Sequence, residues 1–232
     1  MKTILTEKQK QVLDHVRVFR MTTPDMVKKL FYPEETENAV KSHLRRLRES
    51  GHIRSAPLFR KNHYYYLSPD AARKLYDDDP RTVGPHSPMA IAETYGMLRF
   101  CCDGPTQLHK FTRKEFVEEF PELIIKNVQE FNYYMDKDSE GNRLGHIYVD
   151  RGAKIERIIK RIQTIVGRRL QHPVWHRDIL SRENCRFAIG VVTFPDRKAA
   201  VIEQKLKEEL PDVRIRMKVV EELFFLTNQK RN

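Results

Sequence analysis

The sequence contains few cysteines and no motif that would pair them or bind a metal. Its three cysteines, Cys101, Cys102 and Cys185, form no CxxC pair, so neither a disulfide framework nor a zinc ribbon is expected. They are interpreted as small hydrophobic residues of a protein in a reducing cytoplasm. The chain also has no Walker A loop, GxGxxG fingerprint or GxSxG nucleophile elbow. No nucleotide cofactor is therefore implied.

Long hydrophobic runs are missing as well. No apolar stretch approaches the roughly 20 residues needed to cross a bilayer, and the N-terminus lacks a signal-peptide hydrophobic region. We therefore expect no membrane partner. The hydrophobic content of 40% and charged content of 32% indicate a folded globular chain rather than a disordered one.

Basic residues outnumber acidic ones, with 43 Lys and Arg against 32 Asp and Glu, a net charge of +11. The excess is concentrated near the N-terminus. Residues 1–76 contain 16 basic and 8 acidic residues, whereas the other 156 residues contain 27 and 24. A basic excess predicts a polyanionic partner, and its position predicts that the first third of the chain binds it.

The first third has the pattern of three short helices followed by a hairpin. N-capping signals predict helices that begin near Thr6, Thr23 and Thr36, and Gly51 ends the third. Two strand-like runs follow, residues 52–59 and 63–67, joined by a basic tip, and Ser68 then begins a fourth helix. This is the plan of a winged helix-turn-helix, in which the third helix enters the major groove of DNA and the tip contacts the flanking backbone.

One face of the third predicted helix carries side chains suited to DNA. Val40, Leu44 and Leu47 share an apolar face, and the opposite face is polar and basic. Asn and Arg read base edges, while Lys and Ser suit phosphates. A plain solvated face is the alternative, but the hairpin with its basic tip favours DNA. The predicted DNA-binding residues are Asn38, Lys41, Ser42, Arg45, Arg46, Arg60, Lys61 and Asn62.

A polar segment with two prolines, residues 77–85, predicts a linker. Residues 86–232 are expected to form a second domain of alternating helices and strands. The predicted helices lie near 88–102, 112–119, 153–170 and 197–210, and the predicted strands near 126–136, 144–150, 187–194 and 213–220. Residues 223–226 would add an edge strand or a packing tail. The fold class is therefore predicted as α+β, with a mixed sheet in the second domain.

Several motifs resemble the replication-relaxation family of bacterial plasmids and mobile elements. They are the segment YYYLSPDAARKL, a helix led by His86 and the strand end Val149-Asp150-Arg151-Gly152. The resemblance covers nearly the whole chain and implies a second domain like a restriction-endonuclease core. It departs at the catalytic positions, because Tyr148 stands where the family has glutamate, and Gly152 fills the lysine position if Asp150 is a metal ligand. The second domain is therefore expected to be inactive, with Asp150 capping the next helix.

The predicted function is binding of double-stranded DNA by a cytoplasmic protein of a mobile element. It would act as a transcriptional regulator or as a replication or relaxation accessory factor, with no catalytic residue, metal or cofactor. A second copy of the chain, or a replication or transfer protein, is a further candidate partner, and the basic face of 154–169 would add phosphate contacts. One alternative is a protein-docking adaptor. The other is a metal-dependent DNA nuclease that uses Asp136 or Asp138 together with Asp150 and Lys154.

Overall fold

The computed structural model describes residues 5–78, 83–126, 132–138, 141–180 and 185–228 and has an α+β architecture with a mixed sheet. The chain divides into two compact units, Met1–Leu98 and Arg99–Asn232. The division falls inside a helix rather than in the predicted linker 77–85, of which residues 79–82 lie outside the described part. The segment that leads into this helix is joined to the hairpin, since the backbone NH of His86 donates to the hydroxyl of Tyr64 at 2.8 Å.

The first unit begins with the elements expected from its capping signals. They are α1 (Glu7–Phe19), α2 (Pro24–Phe31), α3 (Glu37–Glu49), β1 (Ile53–Pro57), β2 (His63–Leu67) and α4 (Pro69–Tyr76). Thr6 forms a complete capping box with Gln9, and Thr36 caps α3 by accepting a hydrogen bond from the backbone NH of Ala39. Gly51 follows α3 with a φ of +77°, a left-handed conformation that favours glycine.

The core of this unit lies between the first three helices and the hairpin. β1 and β2 pair antiparallel, with Ile53 opposite Leu67 and Pro57 opposite His63. Thr22, between α1 and α2, pairs with Tyr65 through two backbone hydrogen bonds of 2.9 Å and adds a third extended segment to the hairpin. The central buried side chains are Val12, Leu13, Val16, Val27, Val40, Leu44, Leu47, Ile53 and Leu67. Their burial holds α3 against α1 and α2.

The second unit contains a five-stranded sheet with helices between its parallel strands. Its elements are the end of α5 (Pro88–Cys102), β3 (His109–Lys110), α6 (Arg113–Glu119), β4 (Tyr133–Asp138), β5 (Gly141–Val149), α7 (Ile155–Leu170), β6 (Phe187–Thr193), α8 (Asp196–Glu209), β7 (Arg214–Val219) and α9 (Leu223–Thr227). The strand order is β3-β4-β5-β6-β7. β3, β4 and β5 pair antiparallel, whereas β5, β6 and β7 pair parallel. The predicted mixed sheet is thus confirmed.

Side chains cover both faces of this sheet. Isoleucines and leucines of α7 and α8 pack on one face, and every residue of β6 is buried. On the other face two glycines lie directly under aromatic rings. A Cβ atom at Gly145 would approach the Tyr134 ring to 2.1 Å, and one at Gly190 would approach Cζ of Phe100 to 2.4 Å. The close approach of these rings requires glycine at both positions.

Some predicted elements differ from the structure. Residues 223–226 lie in the helix α9 with Leu223 and Leu226 buried, so the packing tail is confirmed and the edge strand is wrong. The two-residue strand β3 and the π-helix at Trp175–Ile179 were not predicted. Residues 127–131, part of the strand expected at 126–136, lie outside the described residues. In the part of the chain that the structure describes, no helix has the length and apolar character of a membrane span.

Candidate nucleic-acid interface

The two faces of α3 differ as its sequence predicts. Val40, Leu44 and Leu47 are at most 2% exposed. The five predicted DNA-binding residues of this helix are all exposed: Asn38, Lys41, Ser42, Arg45 and Arg46. The helix therefore presents one continuous polar and basic face, and its apolar face anchors it in the core. Arg48 in the last turn is also exposed. It was not included in the prediction, although its basic character at the edge of the same face could have identified it.

The turn between α2 and α3 holds α3 in place. The ring of Tyr32 stacks on His43 of α3, with 4.6 Å between ring centroids and an interplanar angle of 9°. His43 Nε2 and Glu35 Oε2 lie 2.9 Å apart. Burial, followed by the charge of Glu35, raises the pKa of the Tyr32 phenol above its usual range. These contacts fix the direction in which the exposed face of α3 points.

Two carboxylates lie beside the basic residues of α3. Glu37 Oε2 is 3.9 Å from Lys41 Nζ, and Glu49 Oε1 is 3.5 Å from Arg45 Nε. All four side chains are more than half exposed. Exposed pairs at this helical spacing contribute only about 0.3–0.5 kcal/mol each. Lys41 and Arg45 can therefore leave these carboxylates for a phosphate or a base at little cost.

The tip of the hairpin brings the other three predicted residues together. Arg60, Lys61 and Asn62 are exposed and connect the two strands. The backbone NH of Leu58 donates to the carbonyl of Asn62 at 2.9 Å, and Arg60 has a left-handed φ of 52°. The Phe59 ring packs edge-on against Tyr95, with a centroid distance of 6.0 Å. The tip is thus a closed turn with an anchored base and a basic outer surface.

Asp150, which directly follows β5, is fully buried and accepts four hydrogen bonds. Oδ1 accepts from the backbone NH groups of Gly152 and Ala153, each at 2.9 Å. Oδ2 accepts from Thr193 Oγ1 at 2.8 Å and from Lys198 Nζ at 2.5 Å. The expectation that Asp150 caps the next helix is therefore wrong, because Lys154 occupies the N-cap position of α7. Asp150 instead stabilises the turn between β5 and α7.

Asp136 lies far from Asp150. It pairs with Arg143 across the β4–β5 ladder, at the opposite end of β5. At roughly 3.3 Å per residue, position 150 is about 23 Å from position 143. Asp136 is buried, and its Oδ1 lies 2.5 Å from the guanidinium of Arg216.

This separation shows that the predicted nuclease site that combines Asp136 with Asp150 is wrong. Asp136 and Asp150 cannot hold the same metal ion, and each carboxylate already faces a basic partner. The predicted grouping failed because strand register is a long-range property that spacing along the chain does not show. The side chain of Asp138, the alternative ligand, lies outside the described residues. Lys154 is exposed immediately before α7.

Comparisons of the chain with models of protein families, with curated proteins and with solved structures found no match. The resemblance to the replication-relaxation family therefore stays a prediction. The site is defined by its own geometry, as an exposed polar and basic helix face accompanied by a hairpin with a basic tip.

Proposed function

We propose that the first unit is a winged helix-turn-helix that binds double-stranded DNA. In this proposal α3 enters the major groove and the hairpin tip contacts the flanking phosphates or minor groove. The observation that carries the proposal is the two-sided character of α3. Its apolar residues are buried, while Asn38, Lys41, Ser42 and Arg45 are exposed on the opposite face.

The arrangement of the other elements supports this proposal. α2 and α3 are joined by a short turn fixed by the stacked rings of Tyr32 and His43. Thr22 pairs with Tyr65 and so joins the segment before α2 to the hairpin. Three helices and a hairpin connected in this way form a rigid frame, and a rigid frame is what positions side chains against base edges.

The exposed side chains of α3 have distinct roles in this proposal. Asn38 and Arg45 can each make two hydrogen bonds to a base edge, which discriminates one base from another by about 1–3 kcal/mol. Lys41 and Ser42 suit backbone phosphates, which give affinity without sequence preference. The base contact of Arg45 is worth more than the roughly 0.3–0.5 kcal/mol of its exposed pair with Glu49.

The biological role follows from the motif resemblance. In this proposal the chain is a cytoplasmic protein of a mobile element, and it regulates transcription or assists replication or plasmid relaxation. The second unit is proposed to have a restriction-endonuclease-like core without nuclease activity. Its three antiparallel strands followed by the α7 crossover to a parallel strand support this core. The hydrogen bonds that occupy Asp150 support the loss of activity.

The test compares variants of the full chain in a DNA mobility-shift assay. Arg45→Ala is expected to weaken binding to a selected site by about 1–3 kcal/mol and to relax specificity at one position. Lys61→Ala is expected to weaken binding to all sequences about equally. Arg73→Ala is a matched control, because Arg73 is an equally exposed helical arginine beside a carboxylate, Asp70, on α4 outside the proposed surface.

The three possible outcomes of this assay distinguish the proposal from its alternatives. A loss of binding in the first two variants with unchanged binding in the control supports the proposal. Equal binding by wild type, Arg45→Ala and Lys61→Ala would exclude α3 and the tip as the DNA-binding surface. DNA binding that is absent or insensitive to salt would favour a protein-docking role for this unit.

A further inference from the structure

The basic excess of the second unit is confined to one short segment. Residues 151–170 contain seven basic residues and one acidic residue, Glu156. The rest of the unit, residues 99–150 and 171–232, contains 19 basic and 19 acidic residues. The net charge of the whole unit therefore resides in α7 and in the turn that leads to it.

Six of these seven basic side chains face outward. α7 buries Ile158, Ile159 and Ile162 against the sheet. Arg169 is buried on the same side, where its guanidinium lies over aromatic rings. The remaining six are exposed: Arg151, Lys154, Arg157, Lys160, Arg161 and Arg168. We refer to these six residues as the α7 basic face.

Four of these six residues have no carboxylate partner in the part of the chain that the structure describes. Among the residues that the structure describes, Lys154, Arg157, Lys160 and Arg168 form no ion pair. α8 shows the opposite pattern, with a 2.7 Å pair between Lys207 and Glu203 and with acidic residues interspersed among its basic ones. A solvated helix surface usually mixes charges of both signs as α8 does. The single sign of the α7 basic face is the charge pattern that suits a polyanionic ligand.

Three of the arginines act electrostatically on one tyrosine. Burial, followed by the charge of Asp150, raises the pKa of the Tyr148 phenol, while the charges of Arg151, Arg161 and Arg157 act to lower it. Tyr148 lies at the end of β5 that leads to α7, and its ring is only partly buried. This end of β5 and the start of α7 are therefore a region of positive potential, which suits phosphate oxygens.

We propose that the α7 basic face binds the phosphate backbone of double-stranded DNA without reading its sequence. This inference rests on the proposed function, because it extends the same ligand to a second surface. From Lys154 to Arg168 the face spans about 21 Å at 1.5 Å per residue. A duplex of that length carries roughly 12 negative charges. Five of the six cations lie within this span, a density of positive charge that suits a polyanion of high linear charge density.

The test measures the affinity of the full chain for an unrelated duplex at several salt concentrations. In the triple variant Lys154→Gln, Arg157→Gln, Lys160→Gln, the slope of log K against log salt should become shallower by about 2.7, because each phosphate contact contributes roughly 0.9. The control variant Arg197→Gln, Lys205→Gln, Lys207→Gln removes the same charge from α8. Its slope is expected to equal that of wild type.

The slopes of these variants test DNA binding by α7 separately from DNA binding by the first unit. An unchanged slope in the α7 variant, with steep salt dependence in wild type, overturns the α7 contact and leaves DNA binding by the first unit intact. Equal changes in the α7 and α8 variants also overturn it, because net charge alone would then explain them. If the triple variant melts early, Lys160→Gln alone should still reduce the slope by about 0.9. A wild-type chain that binds no duplex overturns both proposals.

Discussion

Replacing Asp150 with asparagine tests whether this carboxylate is structural. In the Asp150→Asn variant the side-chain carbonyl oxygen can still accept hydrogen bonds from Gly152 and Ala153. The amide NH₂ group replaces the oxygen that accepts from Thr193 and Lys198, and it cannot accept a hydrogen bond from either. The side chain of Lys198 is only 18% exposed. Among the hydrogen bonds that the structure describes for its ammonium, the one to the carbonyl of Ala153 at 2.7 Å would remain. The substitution therefore leaves a largely buried charge without its carboxylate.

The size of this effect follows from the burial of the pair. Breaking a buried ion pair on one side costs about 3–5 kcal/mol. Since Lys198 is partly exposed, we expect a loss at the lower end, about 3 kcal/mol. For a unit of this size that loss lowers the melting temperature by roughly 10 °C. The double variant Asp150→Asn, Lys198→Met should recover part of the loss, because it removes the unpaired charge.

Thermal unfolding of the full chain, followed by circular dichroism, measures these shifts. Asp196→Asn is the control, because Asp196 is an exposed acidic residue in the first turn of α8 and should cost less than about 1 kcal/mol. A melting temperature of Asp150→Asn equal to that of wild type would refute the reasoning. If this stable variant also lost a metal-dependent nicking of plasmid seen in wild type, Asp150 would be a metal ligand.

Three further predictions concern other parts of the chain. Burial lowers the pKa of His15 to about 4, so between pH 6.5 and 4 the unfolded chain binds a proton that the folded chain does not. About 3 kcal/mol of stability should therefore be lost as the pH falls through this range. His15→Leu should remove this pH dependence when melting temperatures are measured at several pH values. Gly190→Ala should lower the free energy of unfolding, measured with denaturant, by about 1–3 kcal/mol, because its Cβ would collide with the ring of Phe100, and Phe100→Leu should reduce that loss. Glu49→Gln should raise DNA affinity roughly twofold to fivefold in a shift assay, since it removes a negative charge beside Arg45.

The elements that could be predicted from the sequence are those with local signals. The capping box at Thr6, the cap at Thr36 and the glycine after α3 each act within one turn of the chain, and the helix bounds lie within a few residues of the prediction. The short apolar runs likewise predict β5 and β6, and β7 alternates basic and apolar residues. The strand β3 contains two residues and has no periodicity of its own. It is defined only by its pairing with β4.

The contacts around Asp150 and Asp136 could not be predicted because their partners are distant in sequence. Lys198 reaches Asp150 from α8, and Arg216 reaches Asp136 from β7. Neither partner has a local motif. Arg169 is a similar case, because its helical position on the buried stripe of α7 gives no sign of the aromatic cluster that encloses its guanidinium. By contrast, the exposed face of α3 could be predicted, because helical periodicity alone separates it from the core.

The most direct test of the central claim is the equilibrium binding of the wild-type chain to a duplex of random sequence between about 50 and 300 mM salt, followed by fluorescence anisotropy. Contact with six to eight phosphates predicts a linear plot of log K against log salt with a slope of about −5 to −7. A slope near zero, or no binding at the lowest salt, would contradict the claim that this basic chain docks on DNA.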